Sequence, residues 1–143
     1  MQNRMNVKAI LCLLAVFCLF LQVIGADSAE ETKVLSPTTY VYKTADSCSI
    51  EVDVYLPKDR SHSLPVIVYL HSGALILNSR KEVIPEQLKL WLAAGYAVVA
   101  VDYRLAPETK LPEIISDLKD AFQWIGEKGP ELFRADPQRL VAW

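Results

Sequence analysis

Pro65-Val66-Ile67-Val68-Tyr69-Leu70, closing on His71, is an apolar run of strand length with no polar interruption. A strand with one wet face alternates apolar and polar side chains. An unbroken run instead fits a strand buried on both faces, as in a parallel sheet. The run gives way to His71-Ser72-Gly73-Ala74, whose small residues suit a tight turn.

Upstream of this run, Lys58 to Ser63 is a polar turn, and the pattern before it differs. In SIEVDVYLP (49–57), Ile50, Val52, Val54 and Leu56 point one way, and Glu51, Asp53 and Tyr55 the other. Such alternation predicts an antiparallel strand with one wet face. TTYVYKT (38–44), rich in β-branched and aromatic residues, predicts another strand. Downstream, IPEQLKLWLAA (84–94) repeats Ile84, Leu88, Trp91 and Leu92 at helical spacing, with Pro85 in the first turn and Gly95 as the stop. YAVVAVDY (96–103) predicts a second buried strand. A helix is expected from Glu113, with Ile114, Ile115, Leu118, Ala121, Phe122 and Ile125 on one face and Gly129-Pro130 as its end. DPQR (136–139) reads as a turn, and LVAW (140–143) as the start of a third buried strand.

The order is β-β followed by β-α-β-α-β. Strands alternating with helices give an α/β fold, a mostly parallel sheet with helices on both faces. Right-handed crossovers then place chemistry at the carboxyl ends of the strands. Those ends are His71 onward, Asp102 onward and whatever follows Trp143.

Three stretches lie at or next to those ends: YLHSGALIL (69–77), VDYRLAPE (101–108) and DPQRLVAW (136–143). In this order and spacing they resemble the α/β-hydrolases of the esterase/lipase type, in the hormone-sensitive-lipase-like and bacterial feruloyl-esterase-like branches. The likeness covers most of residues 48–143, and Tyr103-Arg104-Leu105-Ala106-Pro107-Glu108 is its most specific piece. It implies the α/β-hydrolase fold and a serine carboxylic-ester hydrolase acting on a small-molecule ester, with no cofactor and no metal. The short lead-in before the first strand leans towards the feruloyl-esterase-like branch.

The resemblance also implies roles for residues. Ester hydrolysis builds negative charge on the carbonyl oxygen, and one well-placed backbone N–H stabilises it by about 3–4 kcal/mol. Ser72 and Gly73 would be those oxyanion donors, with Ala74 completing the turn. His71 would pin the loop and would not be the catalytic base. Tyr103, Arg104 and Glu108 would support the loop, and an Arg with a Glu four residues on suits a bidentate ion pair. Ser72 and Ala74 stand where the family usually has Gly. If Ser72 takes positive φ, the strain is on the order of 1 kcal/mol.

Other candidates have simpler readings. Ser72 and His71 are adjacent at a strand end, point to opposite faces, and so do not make a nucleophile and base. Asp102 is not the family's triad acid, which comes from a later strand. Asp117 and Asp120 fall on the polar face of the second helix, Asp136 caps a turn, and His62 is a solvated loop residue. The family places Gly-x-Ser-x-Gly directly after the strand that follows Asp-Pro-x-Arg, and no such motif occurs in residues 1–143. The expected organisation is therefore a signal peptide (1–26), a lead-in (27–39) and the N-terminal half of a hydrolase domain (40–143). It is truncated before the nucleophile elbow, with nucleophile, acid and base after Trp143. On this reading residues 1–143 alone are inactive. Two rivals share the fold, a serine peptidase of the prolyl-oligopeptidase type and a non-catalytic binding protein.

The 143 residues are 52% hydrophobic and 22% charged, which suits one globular domain or a piece of one. A net charge of −2 without a basic stripe excludes nucleic acid as a partner. Arg4 and Lys8 precede an uncharged run from Ala9 that ends at the small residues Gly25 and Ala26. That is the pattern of a cleaved secretory signal, and the protein is expected to be secreted or periplasmic. The rival is an uncleaved anchor, since the run is near the minimum of about 17 residues for a membrane span. Any membrane contact would pass through this segment alone. After cleavage 13 basic and 17 acidic residues remain, a net of −4, and Cys48 is the one cysteine left. An internal disulfide is then ruled out within the chain. Expressed with its native start in a bacterium, the protein should carry its mature N-terminus near Ala26 or Asp27. N-terminal sequencing that finds Met1 on a membrane-bound product would overturn this.

Overall fold

The computed structural model describes residues 36–143, so the signal segment and most of the lead-in lie outside the described residues. Five strands form one sheet: β1 (Thr38–Ala45), β2 (Cys48–Tyr55), β3 (Leu64–Leu70), β4 (Ala97–Val101) and β5 (Ala135–Ala142). Thr38 and Thr39, assigned to the lead-in, already belong to β1. The strand order is β1-β2-β4-β3-β5. β1 and β2 are an antiparallel hairpin closed by Asp46 and Ser47, both left-handed (φ 50° and 64°). Such a two-residue turn matches the twist of the strands it joins. β2 runs antiparallel to β4, whereas β3 runs parallel to both β4 and β5. β2 is thus the single strand running against the other four.

Helix α1 (Pro85–Ala93) links β3 to β4, and α2 (Leu111–Phe133) links β4 to β5. They cover opposite faces, as the alternation of buried side chains in β3 and β4 requires. Val66, Val68, Val99 and Val101 pack under Ala121, Ile125 and Phe133 of α2. Ile67, Tyr69, Val98 and Ala100 pack with Leu88 and Leu92 of α1. Gly95 (φ 84°) ends α1: its N–H bonds the Leu92 carbonyl at 3.1 Å, and the Tyr96 N–H reaches back to Trp91 at 3.1 Å. This is the paired closure that a left-handed glycine permits after a helix. Among the described residues no helix is long and apolar enough to cross a membrane.

Four expectations need correction. The second face of β2 is not wet: Asp53 and Tyr55 are buried, because the segment that follows β3 folds over them and sets Arg80 against Asp53. Helix α2 does not end at Gly129-Pro130 but continues to Phe133. Proline costs that turn one hydrogen bond, yet Gly129 and Phe133 are buried and hold it to the body of the fold. Ile115 is 42% exposed, so the apolar face of α2 runs through Ile114, Ala121 and Ile125 without it. Finally, β5 starts at Ala135 and includes Asp136 to Arg139, with a shift of register opposite Leu64 and Val66. Asp136 still makes its turn, accepting from the Gln138 N–H at 3.0 Å and pairing with Arg139. As the edge strand, β5 is mostly exposed beyond Ala135, with Val141 52% accessible, and Trp143 just after it is 61% accessible.

The helix face can be tested by truncation. Ile125 is fully buried, and Ile125→Ala should cost about 2–5 kcal/mol in urea unfolding. Ile115→Ala should stay within about 0.5 kcal/mol of wild type. Equal losses at the two positions would mean that the register of α2 on the sheet is wrong.

Candidate active site

The pairing of Leu70 with Val101 brings the ends of β3 and β4 out side by side. His71 and Tyr103 therefore leave the sheet as neighbours, both buried. Their rings stack at 4.2 Å with 6° between planes. The Tyr103 hydroxyl donates to the His71 carbonyl at 2.7 Å. Burial raises its pKa, so it remains a donor at neutral pH. His71 Nδ1 lies 2.9 Å from the Ser72 carbonyl oxygen. A carbonyl only accepts, so Nδ1 carries the proton. That bond fixes the plane of the Ser72–Gly73 peptide, and a planar trans peptide turns the Gly73 N–H away from the captured oxygen.

The turn itself is tight. Gly73 has φ 118°, and a Cβ there would collide with the Leu77 carbonyl oxygen. Ala74, Leu75 and Asn78 are left-handed at 53°, 64° and 76°. Ser72 is not, so the strain expected at Ser72 falls on Ala74 and Leu75 instead. The Ile76 N–H bonds the Gly73 carbonyl at 3.0 Å, and the Ala106 N–H bonds the Leu75 carbonyl at 2.8 Å. The second bond fastens the turn to the loop after β4. Among the described residues no backbone or side-chain oxygen accepts from the N–H of Ser72 or Gly73.

Arg104 supports this loop with a different partner from the one expected. Glu108 is exposed, and the guanidinium instead grips Asp117 of α2, Nε to Oδ2 at 2.8 Å and Nη2 to Oδ1 at 2.9 Å. Its backbone N–H adds a bond to the same carboxylate at 3.2 Å, and Nη1 reaches the exposed Asp46 at 2.9 Å. Asp117 is thus not on a polar face: it is 0% exposed and lies on the apolar stripe of α2. The missed signal was an acid three residues after Ile114 and four before Ala121. Lys43 is the second counter-charge, 2.8 Å from Asp117 and 2.5 Å from Asp120. A bulge in β1 between Val41 and Lys43 re-aims the strand there. The neighbouring Tyr42 hydroxyl donates to the Asp102 carbonyl at 2.8 Å, with its pKa raised by burial.

A second charged group escaped the sequence reading. Arg80 forms ion pairs with Asp102, with Glu51 at 2.7 Å and with Asp53 at 3.0 Å. Its Nε is close to Asp53 but not aligned for a hydrogen bond. The Asp53 carboxylate also accepts from the Thr39 hydroxyl at 2.6 Å. Burial disfavours the charged guanidinium, but Asp53 and Asp102 outweigh it and raise its pKa. Asp102 is therefore occupied as an anchor. His62 is exposed, as expected, and Cys48 is an exposed free thiol at the start of β2.

A sheet in the order β1-β2-β4-β3-β5, with β2 reversed and helices on both faces, is the first part of an α/β-hydrolase fold. The comparison with known proteins agrees. The BD-FAE family matches residues 52–143, and the chain belongs to that family. Esterase 2 of the planctomycete Thermogutta terrifontis superposes with a TM-score of 0.68 at 25% identity, over 76% of this chain and 40% of the esterase. Its butyrate-bound form aligns equally well. Curated relatives include non-reducing polyketide synthases, 36% identical over 110 residues in Stachybotrys bisbyi and 34% over 113 in Emericella nidulans. These matches cover 72% and 76% of this chain, which spans 5% of the length of each synthase.

The buried carboxylate makes stability depend on pH. Burial alone would raise the Asp117 pKa, but the bonds from Arg104 and Lys43 outweigh it and hold it below the usual carboxylate range. A carboxyl depressed in the folded state contributes fully above its unfolded value, about 3.9, and loses that contribution as pH falls through its native value. Asp117→Asn should cost about 3–5 kcal/mol at pH 7 by leaving Arg104 underpaired. In urea unfolding over a pH series, the gap to wild type should narrow below about pH 4. A gap that stays constant into acid would refute the ionised pair.

Proposed function

We propose that the turn after β3 is the oxyanion-binding part of a secreted serine hydrolase acting on carboxylic esters. The observation that carries the reading is the held Ser72–Gly73 peptide. His71 captures its carbonyl, the stacked Tyr103 fixes His71, and the N–H groups of Ser72 and Gly73 take no acceptor among the described residues. Membership of the BD-FAE family and likeness to an esterase support it. That esterase is known with butyrate and with propionate bound, and phosphorylated by paraoxon. Esters of short carboxylic acids are the corresponding substrate class here.

On this reading, a serine supplied by sequence outside residues 1–143 attacks the ester carbonyl, with a histidine as base and an acid orienting it. The carbonyl oxygen gains charge and settles against the N–H groups of Ser72 and Gly73. These groups are fixed before the substrate arrives, so no reorganisation is needed as the charge develops. Ala74 completes the turn, Arg104 holds the neighbouring loop to α2, and the exposed Glu108 drops out of the supporting set.

The whole protein, expressed from its gene, should hydrolyse p-nitrophenyl butyrate. Gly73→Ala adds a Cβ against the Leu77 carbonyl and should lower kcat about 10²–10³-fold, with KM much less affected. Wild-type protein that binds the ester without hydrolysing it would favour the binding protein over the enzyme.

A further inference from the structure

Arg80 stands nine residues after His71, at the far end of the same turn. No strand or helix lies between them, yet Gly73, Ala74, Leu75 and Asn78 are all held at positive φ. Such a segment keeps its shape only if its surroundings over-determine it. Two consecutive residues of the neighbouring loop hold its two ends. Tyr103 holds His71 by stacking and by its hydroxyl bond. Asp102 holds Arg80 with both carboxylate oxygens: Oδ1 accepts from the Arg80 backbone N–H at 2.7 Å, and Oδ2 pairs with Nη1. The remaining edges of the guanidinium face Glu51 and Asp53 on β2. The end of the turn is thereby tied to both β2 and the β4 end.

The guanidinium holds the Asp102 carboxylate, and that carboxylate in turn accepts from the backbone N–H of residue 80. That bond fixes main chain, and main chain carries the oxyanion donors. We propose that Arg80 is a positioning residue: by anchoring the far end of the 71–80 turn to Asp102, it sets where the N–H groups of Ser72 and Gly73 stand. It therefore acts on turnover rather than on substrate binding. The kinetic part of this inference rests on the hydrolase reading, whereas the structural part stands on the turn alone. Lysine is a point charge on a flexible stem and does not reproduce a planar fork facing three carboxylates. Arg80→Lys keeps the charge and the backbone N–H, and removes the fork that orients the Asp102 carboxylate.

The test uses the whole protein, with backbone amide resonances and steady-state hydrolysis of p-nitrophenyl butyrate as readouts. In Arg80→Lys the amides of residues 72–78 should shift or broaden while those of α2 stay in place. The kcat should fall about tenfold, part of the loss expected for a missing donor, with KM within about twofold. Asp102→Asn, which keeps the side-chain shape, is read in the same way and decides the matter if Arg80→Lys does not fold. Unmoved amides at 72–78 in a folded variant, or a loss that appears in KM alone, would overturn the assignment. If the wild-type protein hydrolyses no ester, the amides alone decide Arg80, and it is the hydrolase reading that fails.

Discussion

The parallel register between β3 and β4 is the constraint on which the site depends. Leu70 opposite Val101 sets His71 beside Asp102 and Tyr103. Side chains alternate along a strand, so a slip of one residue would exchange the two faces. Ile67 and Val68 would then swap the α1 and α2 cores, and Tyr103 would no longer meet the His71 ring. The packing of two helices against opposite faces thus fixes, at the strand ends, which side chains can touch. Hydrophobic patterning positions the chemistry here even though no apolar side chain takes part in it.

Burial of charge is the second organising term. Asp53, His71 and Asp117 are the polar side chains buried deepest among the described residues, and each has partners. Removing one partner from a buried pair costs far more than an exposed pair contributes. A conformation that separates Arg104 from Asp117, or Arg80 from Asp102, is therefore strongly disfavoured. The result is a loop region with little regular structure that is nonetheless confined to one arrangement. The exposed pairs, Arg104 with Asp46 and Arg139 with Asp136, add little to this.

Strand-helix alternation, the parallel core and the two-sided covering were legible in the sequence, because period and run length report burial directly. The resemblance named His71 and Tyr103 each as loop support, but their contact was not legible, since no periodicity predicts a stack between residues 32 apart. What was missed has one physical origin. Arg104 with Asp117, Arg80 with Asp102, and the burial of Asp53 are all long-range pairings between a loop and an element elsewhere in the chain. Local pattern assigns a charged residue to the solvent face by default, and a paired buried charge is the case where that default fails. Asp117 betrayed itself by interrupting an apolar stripe, whereas Arg80, in a loop without period, gave no signal. The end of α2 was misplaced for a related reason: burial of Phe133 outweighs the local effect of Pro130.

The departures from a glycine-rich turn differ in cost from position to position. Ser72 has no positive φ, so its side chain imposes no backbone strain. Ala74 is left-handed at 53°, which costs an L-residue about 1–2 kcal/mol. Alanine in place of glycine also narrows the unfolded ensemble, recovering about 0.4–1 kcal/mol where its backbone can comply. The net cost at Ala74 is then at most about 1.6 kcal/mol, less than the loss expected on breaking a buried ion pair such as those that hold the loop. Gly73 differs in kind. Its φ of 118° lies outside the left-handed well, and the Leu77 carbonyl fills the space where a Cβ would go. Of the three residues after His71, geometry demands glycine at one, and the sequence keeps glycine at that one.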